Sequence, residues 1–191
     1  MAHLLEVRYG LTATELLDAI EVRFRLRAAV EGAVAEVQME RKIKALVGTI
    51  IERYEAHDKD GHADFSIWLK GRELPIRAEC KNIRESSKAG GASYRVKGLD
   101  VAYKVETQKT RAGTADATSR FYDLDQFEIL GVCLGKKTSC WSDIVFIKTA
   151  DLLRHKKHPL KLAVMQRVPL PGTTDGTPWF TELGKLLSTM Q

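Results

Sequence analysis

The chain has 191 residues, 44% hydrophobic and 29% charged, which is enough apolar material for one cored domain. No run approaches the roughly 20 apolar residues that span a bilayer, and Cys80, Cys133 and Cys140 are too few and too scattered for a disulfide framework or a zinc site. A net charge of +5 favours a polyanionic partner, and the start Met1-Ala2-His3-Leu4 lacks a secretory signal, so a cytoplasmic protein with reduced thiols is expected.

Residues 11–30 read as helical. Thr12 with Glu15 makes a capping box, and Leu16, Leu17, Ile20 and Phe24 form an apolar stripe. A further helical pattern runs from about Gly32 to Leu46, with Val34, Val37 and Ile43 inward; Gly32 either separates two helices or lies inside one. Ile50 to Tyr54 suits a strand, and Asp58-Lys59-Asp60-Gly61 a turn.

From Ala63 the pattern alternates strictly. Phe65, Ile67 and Leu69 point one way, and Asp64, Ser66 and Trp68 the other. Alternation resumes after Gly71-Arg72, with Leu74, Ile76, Ala78 and Cys80 against Glu73, Arg77, Glu79 and Lys81. This predicts a hairpin closed by a two-residue II′ turn at Gly71-Arg72. The turn sets a register in which Leu69 faces Leu74, Ile67 faces Ile76 and Phe65 faces Ala78. Asp64 then meets Glu79 on the opposite face, with Lys81 two residues beyond. Two opposed carboxylates repel, and a divalent cation between them relieves the conflict. Carboxylate oxygens are the hard ligands that Mg²⁺ prefers, and an adjacent ammonium suits the negative charge of a reacting phosphate.

Asp64, followed fifteen residues later by Glu79-Cys80-Lys81, resembles the Asp…Glu-x-Lys signature of the PD-(D/E)XK nuclease superfamily, which includes most type II restriction endonucleases and several repair nucleases. Ala63 stands where that motif's Pro would be. The resemblance covers roughly residues 62–82. It implies an α/β fold with a restriction-endonuclease-like core, a central mixed β-sheet flanked by α-helices. The order of elements would be helix, hairpin, Glu-x-Lys strand, helix, strand. The domain would span 1–191, as an N-terminal helical segment (1–30), a catalytic core (31–150) and a C-terminal extension (151–191). The resemblance also implies a Mg²⁺-dependent endonuclease (Mn²⁺ substituting) that cuts double-stranded DNA. Asp64 and Glu79 would be metal ligands, the Cys80 carbonyl a further ligand, and Lys81 the catalytic lysine. Glu36 is the candidate for an acid supplied by the preceding helix, with Glu31 and Glu40 as rivals. A sequence-specific type II restriction endonuclease, acting as a homodimer, is the favoured function. A junction resolvase or mismatch-nicking enzyme of the same fold, and a non-catalytic DNA-binding module, are the alternatives.

Ser86 to Gly91 reads as a loop, and Val96 to about Arg111 as a helix. On it Lys97, Lys104, Gln108 and Arg111 would share one face, a basic and amide stripe suited to DNA. Arg120 ends a small-residue loop and is a phosphate candidate. Phe127–Leu134 and Trp141–Ile147 carry nearly continuous apolar runs and are expected as central strands, joined by a turn at 135–139. Arg154-His155-Lys156-Lys157-His158 is either a backbone contact or an exposed helix end. A last strand near Leu162–Val168 and a short helix near Thr181–Leu187 complete the chain. Phosphate-loop, dinucleotide-binding and serine-hydrolase motifs are absent.

Overall fold

A computed structural model describes residues 2–59, 61–85, 93–109, 118–174 and 176–191. The chain divides into two compact units, Met1–Val34 and Ala35–Gln191.

The first unit is helical. Helix α1 (Leu4–Tyr9) is capped by His3 and ends at Gly10 in the left-handed conformation (φ 64°). Helix α2 (Ala13–Glu21) starts from the expected capping box, in which the Glu15 N–H bonds Thr12 Oγ1 and the Thr12 N–H bonds Glu15 Oε2. The helix expected over 11–30 breaks after Glu21, and α3 (Phe24–Lys44) runs straight through Gly32. Arginines stabilise the break: Arg23 donates to the Ala19 carbonyl and Arg27 to that of Glu21, which satisfies carbonyls left open at the end of α2.

The second unit contains the rest of α3 and two sheets. Its strands are β1 (Ile51–Ala56), β2 (Phe65–Leu69), β3 (Ile76–Asn82), β4 (Ser93–Val96), β5 (Leu99–Glu106), β6 (Ile129–Cys133), β7 (Ile144–Lys148) and β8 (Met165–Val168). A short helix α4 (Gly135–Thr138) joins β6 to β7, and α5 (Leu183–Ser188) follows β8. The larger sheet has the order β1-β2-β3-β6-β7 and is mixed: β3 and β6 are parallel, the other pairs antiparallel. The smaller sheet is β4-β5-β8, all antiparallel. Flanking helices and a mixed central sheet were expected, and the apolar runs read at 127–134 and 141–147 form β6 and β7; β6 is central as expected, but β7 is the last strand of the sheet, apolar on both faces because both are covered.

Period two divides β6 and β7 between two cores, while β1, β2 and β3 give their apolar side chains to one of them. One face carries Ile76, Ala78, Cys80 and Phe146 against Met39 and Ile43 of α3 and Leu183, Leu186 and Leu187 of α5. The other carries Leu130, Val132, Val145 and Ile147 against Val105, Leu162 and Val168. Each fully buried Leu, Ile or Val contributes about 1.5–3 kcal/mol. At Gly131 a Cβ would stand 2.8 Å from Met39 Sδ, so the absence of a side chain lets α3 approach β6. The margins of this sheet are guarded. Glu52 is the extra residue of a bulge where β1 pairs with β2, and β1 exposes Glu52, Arg53 and Glu55. On the far side, Phe180 exchanges both backbone hydrogen bonds with Phe146 of β7.

The helix expected over 96–111 is a correction. Residues 93–106 are the β4–β5 hairpin. Lys97 (φ 50°) and Gly98 (φ 83°) both take positive φ, which is the two-residue I′ turn that matches strand twist. Val101, Tyr103 and Val105 prefer the pleated sheet to a helix. The helix expected after the Glu-x-Lys strand is therefore replaced by strands among the described residues. Residues 154–158 likewise form no helix end; Arg154 makes an isolated bridge with Leu162. The segment 151–191 supplies β8 and α5 to the second unit. The loops expected at 86–91 and at 112–117 lie outside the described residues.

Candidate active site

The β2–β3 hairpin places the acids. Its register is Phe65↔Ala78, Ser66↔Arg77 and Ile67↔Ile76, as the alternation predicts. The turn differs. The Arg72 N–H bonds the Leu69 carbonyl at 3.1 Å, and Gly71 (φ 80°) is the third residue of a four-residue turn, the position that demands positive φ in type II. Pro75 has no N–H to give, so the ladder stops at Ile67↔Ile76. Leu74 is exposed, and Leu69 pairs with Ile51 of β1 instead.

One step beyond the last pair, the register sets Asp64 against Glu79. Asp64 Oδ2 accepts the Cys80 N–H at 2.7 Å. A strand residue aims its N–H and C=O at the same neighbour, so the Cys80 carbonyl faces the Asp64 side of β3. Glu79 is 4% exposed. Its Oε1 accepts two hydrogen bonds, from Lys81 Nζ at 2.5 Å and from the Tyr122 hydroxyl at 2.5 Å. Lys81 Nζ lies 5.5 Å from the centre of the Tyr122 ring, and Lys109 Nζ lies 5.8 Å from the same ring.

The electrostatics follow from that crowding. Burial, reinforced by the nearby Glu79 and Glu36 charges, pushes the Asp64 carboxyl up to about 7 against the pull of Lys81 and the Cys80 N–H. Burial alone would lower Lys81, but Glu79, Tyr122 and Asp64 outweigh it and hold the ammonium charged. Burial raises the Tyr122 hydroxyl above its ordinary range, and it raises the Cys80 thiol too.

Glu36 is exposed at its surface, yet burial of its carboxyl raises its pKa. Lys81 opposes that rise, and Asp58 and Glu79 add to it. Glu40 is engaged elsewhere, accepting from the Tyr54 hydroxyl at 2.8 Å and pairing with Lys44 at 3.0 Å. Glu31 belongs to the first unit, where it lies 3.8 Å from Arg27. Of the three helix acids, Glu36 is the one whose charge is felt at Asp64.

Whether the residues suit a divalent cation can be tested on these contacts. Burial first, and then repulsion from Glu79, raises the Asp64 pKa, and a dication beside the two carboxylates would offset both. Asp64 Oδ1 and Glu79 Oε2 are used by none of the contacts above, and the Cys80 carbonyl is a hard oxygen beside them. The donor set therefore fits. Among the described residues, however, no three Asp, Glu, His or Cys side chains already converge as a cation cage. A separate cleft of about 320 Å³, lined by residues that include Val101, Leu152, Arg167 and Trp179, contains none of these groups.

The nucleic-acid candidates do not form the stripe that a helix would give. Lys97 sits at the hairpin turn, and Lys104 lies on β5 opposite Arg167, its Nζ 4.9 Å from the Tyr94 ring. Gln108 bridges to Phe121, and Arg120 Nε donates to the Lys109 carbonyl at 3.2 Å. Arg111 lies outside the described residues. Sequence reasoning missed Tyr122, Lys109 and Asp58. Asp58 belongs to the stretch 58–61, which carried only a turn signal in the sequence. Tyr122 sits in a short polar stretch without periodicity, so no local pattern marks it.

No known family's sequence profile matches the chain, and no curated protein sequence matches it. Among solved structures it is similar to a bacterial homing endonuclease, I-Ssp6803I, at 12% identity over 78% of this chain and 83% of that one, with a TM-score of 0.48. A likeness this distant leaves the functional reading to the geometry of the site. Among the described residues no helix is long and apolar enough to cross a membrane.

Proposed function

We propose that this chain is a Mg²⁺-dependent endonuclease that hydrolyses phosphodiester bonds of double-stranded DNA, with a sequence-specific restriction role as its most specific form. One observation carries the proposal: Asp64 and Glu79 meet at the open end of the β2–β3 hairpin, with the Asp64 carboxyl pushed up to about 7 and the Lys81 ammonium alongside.

In this reading Asp64, Glu79 and the Cys80 carbonyl would hold the cation, with Glu36 as an outer acid. A Mg²⁺ held there would supply charge neutralisation at the scissile phosphate and a more acidic water. Lys81 stays charged and supplies a positive group for the negative charge that develops on the phosphate oxygens. Tyr122 holds one oxygen of Glu79, which fixes the rotamer of that carboxylate. The raised Asp64 pKa means that a cation held there would compete with a proton for the carboxylate. Lys97, Lys104, Arg111 and Arg120 are phosphate contacts and Gln108 a base-edge contact in this proposal.

A second reading, a non-catalytic DNA-binding module, is favoured by a specific observation: Glu79 Oε1 is already taken by Lys81 and Tyr122. Incubation with plasmid and phage DNA in Mg²⁺ separates the two. Discrete fragments lost in Asp64→Ala support the restriction enzyme. DNA binding that persists without any Mg²⁺-dependent cleavage supports the module. Preference for branched or mismatched DNA moves the assignment to a repair nuclease.

A further inference from the structure

Tyr122 has a second cation beside it. Lys81 Nζ lies 5.5 Å from the centre of the Tyr122 ring, and Lys109 Nζ lies 5.8 Å from it. Lys81 has its anion, because it donates to Glu79 Oε1. Lys109 pairs with no carboxylate among the described residues. The acids that flank Lys109 and Tyr122 are engaged elsewhere: Glu106 lies 3.9 Å from Arg84, and Asp123 lies 2.7 Å from Lys161. Lys109 is nonetheless half-buried. A cation withdrawn from water is normally paired, and two ammonium groups around one ring repel each other. An anion arriving from solvent relieves both conditions.

The backbone holds Lys109 in place. Thr107 is fully buried; its N–H bonds the Val164 carbonyl at 2.8 Å, and its hydroxyl bonds the Ala163 carbonyl at 2.7 Å. Gln108 bridges to Phe121, and the Lys109 N–H bonds the Arg120 carbonyl at 2.9 Å. Arg120 Nε returns a bond to the Lys109 carbonyl. The ring is fixed as well, since the Tyr122 carbonyl accepts the Leu162 N–H at 2.9 Å and Phe127 stands edge-on to it. Paired backbone therefore delivers Lys109 to the site. The charge there also leaves room for it. Three carboxylates, Asp64, Glu79 and Glu36, act against the single ammonium of Lys81. A divalent cation brings that sum to zero, and an incoming phosphodiester makes it negative again.

We propose that Lys109 is a substrate-positioning residue that binds a backbone phosphate of duplex DNA next to the phosphate being cut. Along one strand phosphates follow each other every ~3.4 Å of helix axis. A cation one tyrosine ring removed from Glu79 therefore meets a neighbour of the phosphate held at Asp64. The inference rests on the reading of this chain as a DNA endonuclease.

The test is binding of a fluorescent DNA duplex to the full chain in Ca²⁺, followed by anisotropy over a range of salt. Losing one phosphate contact should make the slope of log affinity against log salt shallower by about 0.9 and weaken binding about eightfold at ~0.1 M salt. Lys109→Gln and Lys109→Met should both show these changes, and Lys109→Arg, which keeps the charge, should show neither. Mn²⁺ affinity by calorimetry and the melting temperature should match wild type in all three. A wild-type slope in Lys109→Gln and Lys109→Met would overturn the proposal. If their Mn²⁺ affinity fell while the slope stayed, Lys109 would be a support for Tyr122 and Glu79 instead. Failure of the parent reading looks different. Wild type that binds the duplex but cuts no plasmid in Mg²⁺ removes the endonuclease and keeps the Lys109 contact if the slope still changes. Wild type that binds no duplex overturns both.

Discussion

Lys81 and Tyr122 share one oxygen of Glu79, the ammonium and the hydroxyl each 2.5 Å from Oε1. The carboxylate is thereby held at one oxygen and presents the other. A group this buried is normally neutralised or paired, and here both devices, a cation and a neutral donor, act on the same atom.

Removing that neutral donor is the sharpest test of its role. Tyr122→Phe keeps the ring, its edge-on contact with Phe127 and its packing, and deletes one hydrogen bond to a charged acceptor. Such outer partners are worth about 10–100-fold in metal affinity. Mn²⁺ affinity measured by calorimetry should fall by roughly tenfold, with the melting temperature nearly unchanged. Equal Mn²⁺ affinity in the two proteins would reduce Tyr122 to a packing residue.

Substitution at the centre should be far more severe. Asp64→Ala, Glu79→Ala and Lys81→Ala should each lower cleavage by about 10²–10³-fold or more, the scale of losing one well-placed electrostatic group. Circular dichroism should stay close to wild type. Retained cutting by Glu79→Ala would remove the mechanism. Ca²⁺ should support DNA binding without turnover, since its looser coordination does not enforce octahedral geometry.

The elevated Asp64 pKa predicts opposite pH trends with and without metal. An acid with a folded pKa of about 7 and an ordinary value of 3.8 holds its proton more tightly in the folded state. Metal-free stability should therefore be greatest below pH 4 as far as this group is concerned, and its contribution should decline as pH rises from about 4 to 7. With Mg²⁺ the favoured form is the carboxylate, so stabilisation by the ion should grow across the same interval. Thermal melts in EDTA and in Mg²⁺ across this range measure both slopes. In Asp64→Asn the slopes should converge; identical slopes in wild type would refute the shift.

Close packing at Gly131 gives a test of the fold alone. Gly131→Val would drive its branches into Met39 Sδ and the Phe146 ring, where even a Cβ stands 2.8 Å and 3.4 Å from them. Overpacking of this kind costs about 1–3 kcal/mol, read as a lower urea midpoint. Gly131→Ala should cost less, because the nearest atoms belong to the flexible end of Met39.

What was legible in the sequence was what period two and short-range chemistry encode. Alternation at Phe65–Leu69 and Ile76–Cys80 specified the hairpin register, because a one-residue slip would expose every apolar side chain. The capping box at Thr12 and the apolar runs of β6 and β7 were visible for the same local reason. The segment 96–111 misled because Lys97, Lys104, Gln108 and Arg111 happen to recur at helical spacing. Lys97-Gly98 between Val96 and Leu99 was the overriding signal, since its paired positive φ values fold the chain back at once. Tyr122 was beyond reach of any pattern: its partner Glu79 is 43 positions away and meets it only after the parallel β3–β6 pair has closed.

The two guarded borders of the larger sheet have a consequence for how that sheet behaves in a crowded solution. A bulge and three exposed charges guard β1, and the Phe180 backbone occupies the unpaired side of β7. The charges and the bulge discourage a neighbouring chain from adding to β1, and Phe180 holds the middle of β7, so this sheet is a poor template for strand-by-strand growth into fibrils.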